Sequence, residues 1–267
     1  MENRNRNLLI GIAVLIVVLC CCAAVIVAAV WLSVRVDRGL TDVHFFEFNP
    51  DSQAQVEQSF AVGEKPYLDL GNFAGEVSVR AGEDNVIRVV AVKKASSESA
   101  LDRISVTMRE EGAGLVVRTT KQNNLNNASV DLEVTAPPDT EMELHTGAGS
   151  IEIRGMTGSI DAHSGAGSIT VSRAGGSVRL AVGAGTIRYQ GTPVGRCSFE
   201  SGAGEITIRL PANPDVRLDL KTGWGSISVG YDVDGSISPR DVSGDIGDGS
   251  QASIYANTGV GSISVMP

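Results

Sequence analysis

Two histidines, His145 and His163, stand 18 residues apart, and each is preceded two positions earlier by an acid, Glu143 or Asp161. Imidazoles at a repeat spacing are groups that a zinc ion takes, and stacked carboxylates are what acid–base chemistry on a glycan requires. The equivalent later positions weaken both readings. After the histidines come Ala181, Glu200, Lys221 and Asn257, so no third metal ligand is evident; after the acids come Arg179, Ser198 and Asp219, and Arg179 beside Asp161 reads as charge compensation. Both series are therefore expected to be solvated polar ladders. Cys197 takes the place of Ile160, Val178 and Leu218 and is expected to point inward, with no disulfide partner and little reactivity. The acids Asp232, Asp234, Asp241, Asp245 and Asp248 match no ion-binding loop spacing and read as a mobile acidic loop. The sequence thus assigns no catalytic residue, no cofactor and no metal, and an enzyme is not expected.

These positions owe their equivalence to an internal repeat, the strongest signal in the chain. Gly147-Ala148-Gly149-Ser150-Ile151-Glu152-Ile153 recurs from Gly165, Gly183, Gly202, Gly223 and Gly259, with starts separated by 18, 18, 19, 21 and 36 residues. The last interval is two periods, with one divergent or looped-out turn expected around Asp232 to Asp248. About nine residues along each period lies a second short strand, as in Ile160-Asp161-Ala162 and Val178-Arg179-Leu180, with apolar residues flanking an outward polar one. Two strands and two glycine-bearing corners per period describe one coil of a parallel β-solenoid whose coils stack ~4.8 Å apart. An antiparallel sandwich of repeated hairpins is the alternative, but hairpin registers seldom recur at constant spacing. The sixth repeat positions are Glu152, Thr170, Arg188, Thr207, Ser228 and Ser264. The aspartate that a calcium-binding roll needs there does not recur.

The elements before the repeats set the location. Leu8 to Leu32 is almost wholly aliphatic and is flanked by Arg4 and Arg6 on one side and Arg35 and Arg38 on the other. Such a run exceeds the ~20 residues that span a bilayer core, and Trp31 suits the interface. It reads as a transmembrane helix. A cleaved signal peptide would carry a shorter apolar core of ~7–15 residues, and Leu19-Cys20-Cys21-Cys22 lacks the small residue that a lipoprotein box places before its cysteine. Lys and Arg tie across the flanks, and the short first tail has room for no domain, so the N-terminus is placed in the cytoplasm. The organisation read from the chain is a tail at 1–7, a transmembrane helix at 8–34, a connector at 35–55, an N-terminal β region at 56–136 and the repeat solenoid at 137–267.

In the N-terminal β region, runs such as Glu76-Val77-Ser78-Val79-Arg80 and Val130-Asp131-Leu132-Glu133-Val134 are short, alternating and β-branched, and Ser96 to Leu101 offers one helical turn. The fold class is all-β: a parallel β-solenoid of about 18 residues and two strands per coil, preceded by one transmembrane α-helix. A net charge of −9, with only six Phe, four Tyr and two Trp, weighs against nucleic acid as a partner.

Leu68-Asp69-Leu70, Gly75-Glu76-Val77-Ser78-Val79, Leu132-Glu133-Val134 with Pro137-Pro138, and the repeated Gly-x-Gly-x-Ile-x-Val units together resemble the bacterial "putative adhesin" β-strand-repeat family over about Tyr67 to Val265. That family has no settled activity and defines no functional residues. The resemblance implies a membrane-tethered envelope domain, linked in such families to adhesion or to envelope-stress responses. The expected function is that of a noncatalytic, single-pass bacterial cell-membrane protein, its C-terminal domain extracytoplasmic, binding an envelope polysaccharide or surface protein. Its outward ladder Thr170, Arg188 and Thr207 is the candidate contact. The alternatives are a self-assembling envelope scaffold or an accessory of envelope-stress sensing. End-to-end self-association is expected for the scaffold if the last coil, Gly259 to Val265, leaves an unpaired edge that Met266-Pro267 caps weakly.

Overall fold

The computed structural model describes residues 52–83 and 85–267. The tail, the transmembrane segment at 8–34 with Cys20, Cys21 and Cys22, and the connector up to residue 51 lie outside the described residues. Among the described residues no helix is long and apolar enough to cross a membrane.

The elements up to Pro137 are β1 (Ser52–Ala61), β2 (Tyr67–Asn72), β3 (Val77–Ala81), β4 (Val86–Ala95), the turn α1 (Glu98–Leu101), β5 (Ile104–Glu111), β6 (Gly114–Lys121) and β7 (Ala128–Ala136). The repeats supply β8 (Glu141–Ala148), β9 (Ile151–Arg154), β10 (Ile160–Ala174), β11 (Val178–Gly191), β12 (Gly195–Ala203), β13 (Ile206–Arg209), β14 (Val216–Trp224) and β15 (Ile227–Val229). After them come β16 (Asp234–Ile237), β17 (Asp241–Ile246), β18 (Ala252–Val260) and β19 (Ile263–Met266). The molecule is all-β and solenoid-like. β10 and β11 each run through an entire coil, turning at Gly165-Ala166-Gly167 and Gly183-Ala184-Gly185. They pair in parallel from Ile160↔Val178 to Val171↔Tyr189 without a break in phase. One half of every coil belongs to a first face and the other half to a second, with the core between them.

The corners explain the repeat. In Gly149, Gly167, Gly185, Gly204, Gly225 and Gly261, the second glycine of each motif, φ lies between 135° and 145°, a region that side chains resist. Packing adds a second constraint. A Cβ on Gly185 would sit 1.7 Å from the carbonyl oxygen of Gly167 on the next coil. Just before most glycine pairs stands a buried Ser or Thr, and in several of them the hydroxyl reaches a corner carbonyl, although that of Ser201 is buried without a partner. Ser164 Oγ donates to Gly149 O at 3.0 Å, and Thr222 Oγ1 donates to Gly261 O at 3.0 Å. These hydroxyls satisfy carbonyls that the turning chain cannot pair within a ladder.

The interior is the predicted stack of Ile, Val, Leu and Ala, including Ile151, Ile169, Ile187, Ile206 and Ile263 on equivalent rungs. Burying each such side chain contributes roughly 1.5–3 kcal/mol before entropy is counted. Two aromatics, Tyr189 of β11 and Phe199 of β12, join this interior. Tyr189 packs against Phe199 with ring centroids 5.3 Å apart, and its hydroxyl is buried without a hydrogen-bond partner. Burial therefore pushes the Tyr189 phenol well above its usual pKa.

The coils do not stack in chain order, and this corrects the expectation for the last repeat. β18 lies between β12 and β14, and β19 lies between β13 and β15. The outermost coil is thus β14–β15, while Gly259 to Val265 belongs to a coil enclosed on both sides and leaves no unpaired edge. The segment from Asp232 to Asp248 is likewise no loose acidic loop: β16 and β17 form an antiparallel hairpin whose β17 pairs along β14 from Val216↔Ile246 to Lys221↔Asp241. The arrangement has a geometric reason. Chain leaving β15 reaches the outer edge of β14 directly, so the hairpin can cap it only if that coil is outermost, and the C-terminal coil fills the gap left inside.

The opposite end repeats the device. β2 is enclosed between β6 and β8, and β3 between β7 and β9, although both precede those partners in the chain. Antiparallel strands finish this end, with β5 on β6, β4 on β7, and β1 on β4. Strands on both sides of Pro137-Pro138 therefore share the same ladders. β1 starts at Ser52, in a stretch without sequence periodicity; as an edge strand most of whose residues are exposed, it has little apolar face to show.

Candidate functional site

Thr170, Arg188 and Thr207 fall on three successive rungs of the second face, Thr170 opposite Arg188 and Arg188 opposite Thr207. Strand alternation turns all three outward because Ile169, Ile187 and Ile206 before them and Val171, Tyr189 and Ile208 after them are buried. They line a shallow depression of about 420 Å³ together with Glu205, Gln190 and Arg209. The Thr207 hydroxyl donates to Glu205 Oε1 at 3.3 Å, while Arg188 has no carboxylate partner among the described residues. The rung after Thr207 holds Ser264, not Ser228, because of the inserted coil.

On the first face the two imidazoles stack as their spacing predicts. The rings of His145 and His163 are 5.0 Å apart at an interplanar angle of 19°. Each is engaged by the acid two residues before it: His145 Nε2 lies 3.0 Å from Glu143 Oε1, and His163 Nε2 lies 2.7 Å from Asp161 Oδ1. The flanking rungs hold Gly71 and Ala181, which offer no ligand. Among the described residues no group of three His, Cys, Asp or Glu side chains is placed to hold a metal ion. Glu143 also accepts a hydrogen bond from Tyr67 Oη at 3.1 Å. The bonds from His145 and Tyr67 hold its carboxyl below the usual range. Burial first, then that same bond, pushes the Tyr67 phenol up to about 12.

The expected compensation of Asp161 by Arg179 is not made. They face each other across adjacent strands, but the Asp161 carboxylate turns along its own strand to His163. Beyond Arg179 the ladder continues through Ser198 and Tyr255 to Asp219; Tyr255 enters between Ser198 and Asp219 only because β18 is inserted there. Asp219 is held by Lys221 Nζ at 2.8 Å, and Asp245 of the capping hairpin is held by Arg217 Nε at 2.8 Å. Around Ser198 lies a cleft of about 540 Å³ on the first face, walled by Arg179, Arg196, Arg217, Glu200 and Tyr255. Arg196 and Tyr255 were not legible as site residues, since nothing in the strand grammar says which coils are neighbours. Cys197, between them in the register, is fully buried and points inward as its phase requires. Burial raises its thiol pKa, which disfavours the reactive thiolate.

Stacked two-strand coils with glycine corners, antiparallel caps and outward polar ladders define an all-β, solenoid-like fold. Residues 62–263 match the model of the Toastrack DUF4097 family, and the chain belongs to that family, a domain family of unknown function. No curated protein matches the chain. Among solved structures, a "putative cell adhesion protein" from Clostridium sporogenes is similar at 18% identity and a TM-score of 0.46, covering 80% of this chain and 99% of its own. A "putative adhesin" from Bacteroides fragilis is similar at 14% identity and a TM-score of 0.38, covering 80% of this chain and 98% of its own.

Proposed function

We propose that the protein is a noncatalytic envelope module, anchored in the bacterial membrane by its apolar segment at 8–34 and binding a surface polysaccharide or surface protein with its outward ladders. The observation that carries this reading is the second face. Thr170, Arg188 and Thr207 repeat at the rung spacing of ~4.8 Å on a rigid sheet, with a guanidinium that no carboxylate of the described chain neutralises. A periodic row of hydroxyl and cationic groups suits a polymer, whose own repeat can engage several rungs at once.

The scaffold reading rested on an open last coil. With β17 laid along β14, and with Ile227 N of the three-residue β15 donating to Pro239 O at 2.9 Å, the outermost coil offers little parallel edge for filament growth.

The test is capture of envelope polysaccharides and intact cells by the full-length chain held in lipid nanodiscs. Selective retention without cleavage of the polymer is expected, and the triple variant Thr170→Ala, Arg188→Ala, Thr207→Ala should retain less. Retention no better than empty nanodiscs, or release of shortened polymer, would overturn the reading.

A further inference from the structure

The first face carries an unassigned site. Two depressions abut there, one of about 540 Å³ and one of about 340 Å³, and Arg179, Arg196 and Ser198 line both. These volumes fall within the ~300–1,000 Å³ of ordinary ligand clefts. The floor is low because the outward positions under it are small: Ser159, Ser177, Ser198, Ser253 and Ala181. Larger side chains stand up around it. No backbone edge is free at this place, since β11, β12, β18 and β14 are paired on both sides. A peptide therefore cannot add here as a strand, and recognition must be by side chains.

The charges are unevenly satisfied. Asp161 is taken by His163, Asp219 by Lys221, and Asp245 by Arg217. Arg179 and Arg196 have neither a carboxylate partner nor a side-chain hydrogen bond among the described residues, so two planar forks remain available for a ligand anion. Beside them Glu200 accepts only the Ser198 hydroxyl, at 3.4 Å, which leaves it capacity to accept from ligand hydroxyls. The half-buried ring of Tyr255 stands on the next rung and offers a flat apolar surface.

Anion forks, a hydroxyl acceptor and an aromatic platform in one open cleft match a polyhydroxylated acid. We infer that the Arg179–Arg196–Tyr255 cleft binds an anionic glycan, its acid groups on the two guanidiniums, its hydroxyls on Glu200 and the serines, and a sugar face on Tyr255. This rests on the proposal that the outward faces bind surface polymers, and assigns the polymer's chemistry and the residues that read it.

The experiment measures binding of the full-length chain in nanodiscs to three probes: polygalacturonate, which carries carboxylates; poly(glycerol phosphate), which carries phosphates; and neutral dextran. The expected result is binding of at least one anionic polymer, weakened by salt, with no binding of dextran. Arg179→Ala with Arg196→Ala should weaken it at least tenfold more than the Thr170→Ala, Arg188→Ala, Thr207→Ala variant does. Arg179→Lys with Arg196→Lys, which keeps charge but loses the fork, should fall between wild type and the alanine pair and guards against a folding defect in the latter. Preference between the two anionic probes identifies the acid group. Equal or greater loss in the triple variant would overturn this site and leave the binding-module reading standing. So would capture of intact cells with none of the three polymers bound, or dextran bound as well as the acids. Failure to bind any polymer or cell would remove both.

Discussion

At the scale of single residues, the corner glycines and the hydroxyls before them carry the architecture. Gly185 meets two constraints at once, a φ of 141° and a Cβ position 1.7 Å from a neighbouring carbonyl oxygen. Relief of either by a local shift would disturb the coil on each side. Gly185→Ala is therefore expected to cost more than about 3 kcal/mol, since left-handed strain alone is on the order of 1–3 kcal/mol and the backbone clash adds to it. The midpoint of chemical unfolding measures this; a loss under about 1 kcal/mol would show that the corner can relax. Gly-x-Gly was plain in the sequence as a turning point. The role of Ser164 and Thr222 was not, because a hydroxyl ahead of a glycine declares no partner until the adjacent coil supplies the carbonyl.

Among the elements, the capping hairpin decides how the stack ends. Val242 of β17 is buried opposite Leu220 of β14, so this contact helps to hold the cap on the coil. Placing a charge there, as in Val242→Asp, exposes the cap to an unpaired buried carboxylate worth on the order of 3 kcal/mol. The hairpin should open locally while the coils stay folded. The bared β14 edge then offers itself to another molecule. Sedimentation should show concentration-dependent association of Val242→Asp but not of the parent chain; a variant that stays monomeric with the cap protected from hydrogen exchange would refute this. The strands of this region were hard to read from sequence because the hairpin departs from the repeat grammar. β16 is exposed along its whole length and so has no apolar phase to reveal.

For the molecule as a whole, hydrogen-bonded surface carboxylates and raised phenols shape the response to pH. The Arg217 guanidinium holds the Asp245 carboxyl low, hydrogen bonds from Ser250 hold Asp215 low, and bonds from His145 and Tyr67 do the same for Glu143. Groups with depressed folded pKa values contribute stability above their unfolded values of ~4, and that contribution is lost as pH falls through the folded values. Tyr67 acts at the other limit. With its phenol raised to about 12, the unfolded chain ionises first above pH ~10, so stability declines between there and about 12. Cys197, whose buried thiol is also raised, starts this decline earlier, so a plateau of thermal stability is expected only from above pH ~4 to about 8.5, with the acid arm made shallower by Asp245→Asn. An acid arm unchanged by that substitution would show that the pair with Arg217 contributes nothing.

What the sequence determined by itself was everything that depends on local periodicity. Alternation assigned inward and outward positions, which is why Cys197 lands in the core and Thr170, Arg188 and Thr207 land on one outer face. The 18-residue repeat alone places His145 over His163. Only the tertiary structure decided which coils are neighbours. Every coil presents nearly the same edge of N–H and C=O groups, so the ladder pattern alone cannot tell β18 from β14 as the partner of β12. The choice goes with how the ends are closed: antiparallel strands lie along β14 at one end and along β6 and β7 at the other, and the first and last coils of the chain are enclosed between them. That single non-local decision moves Tyr255 beside Ser198, directs Asp245 to Arg217, and builds the cleft in which Arg179 and Arg196 remain without partners.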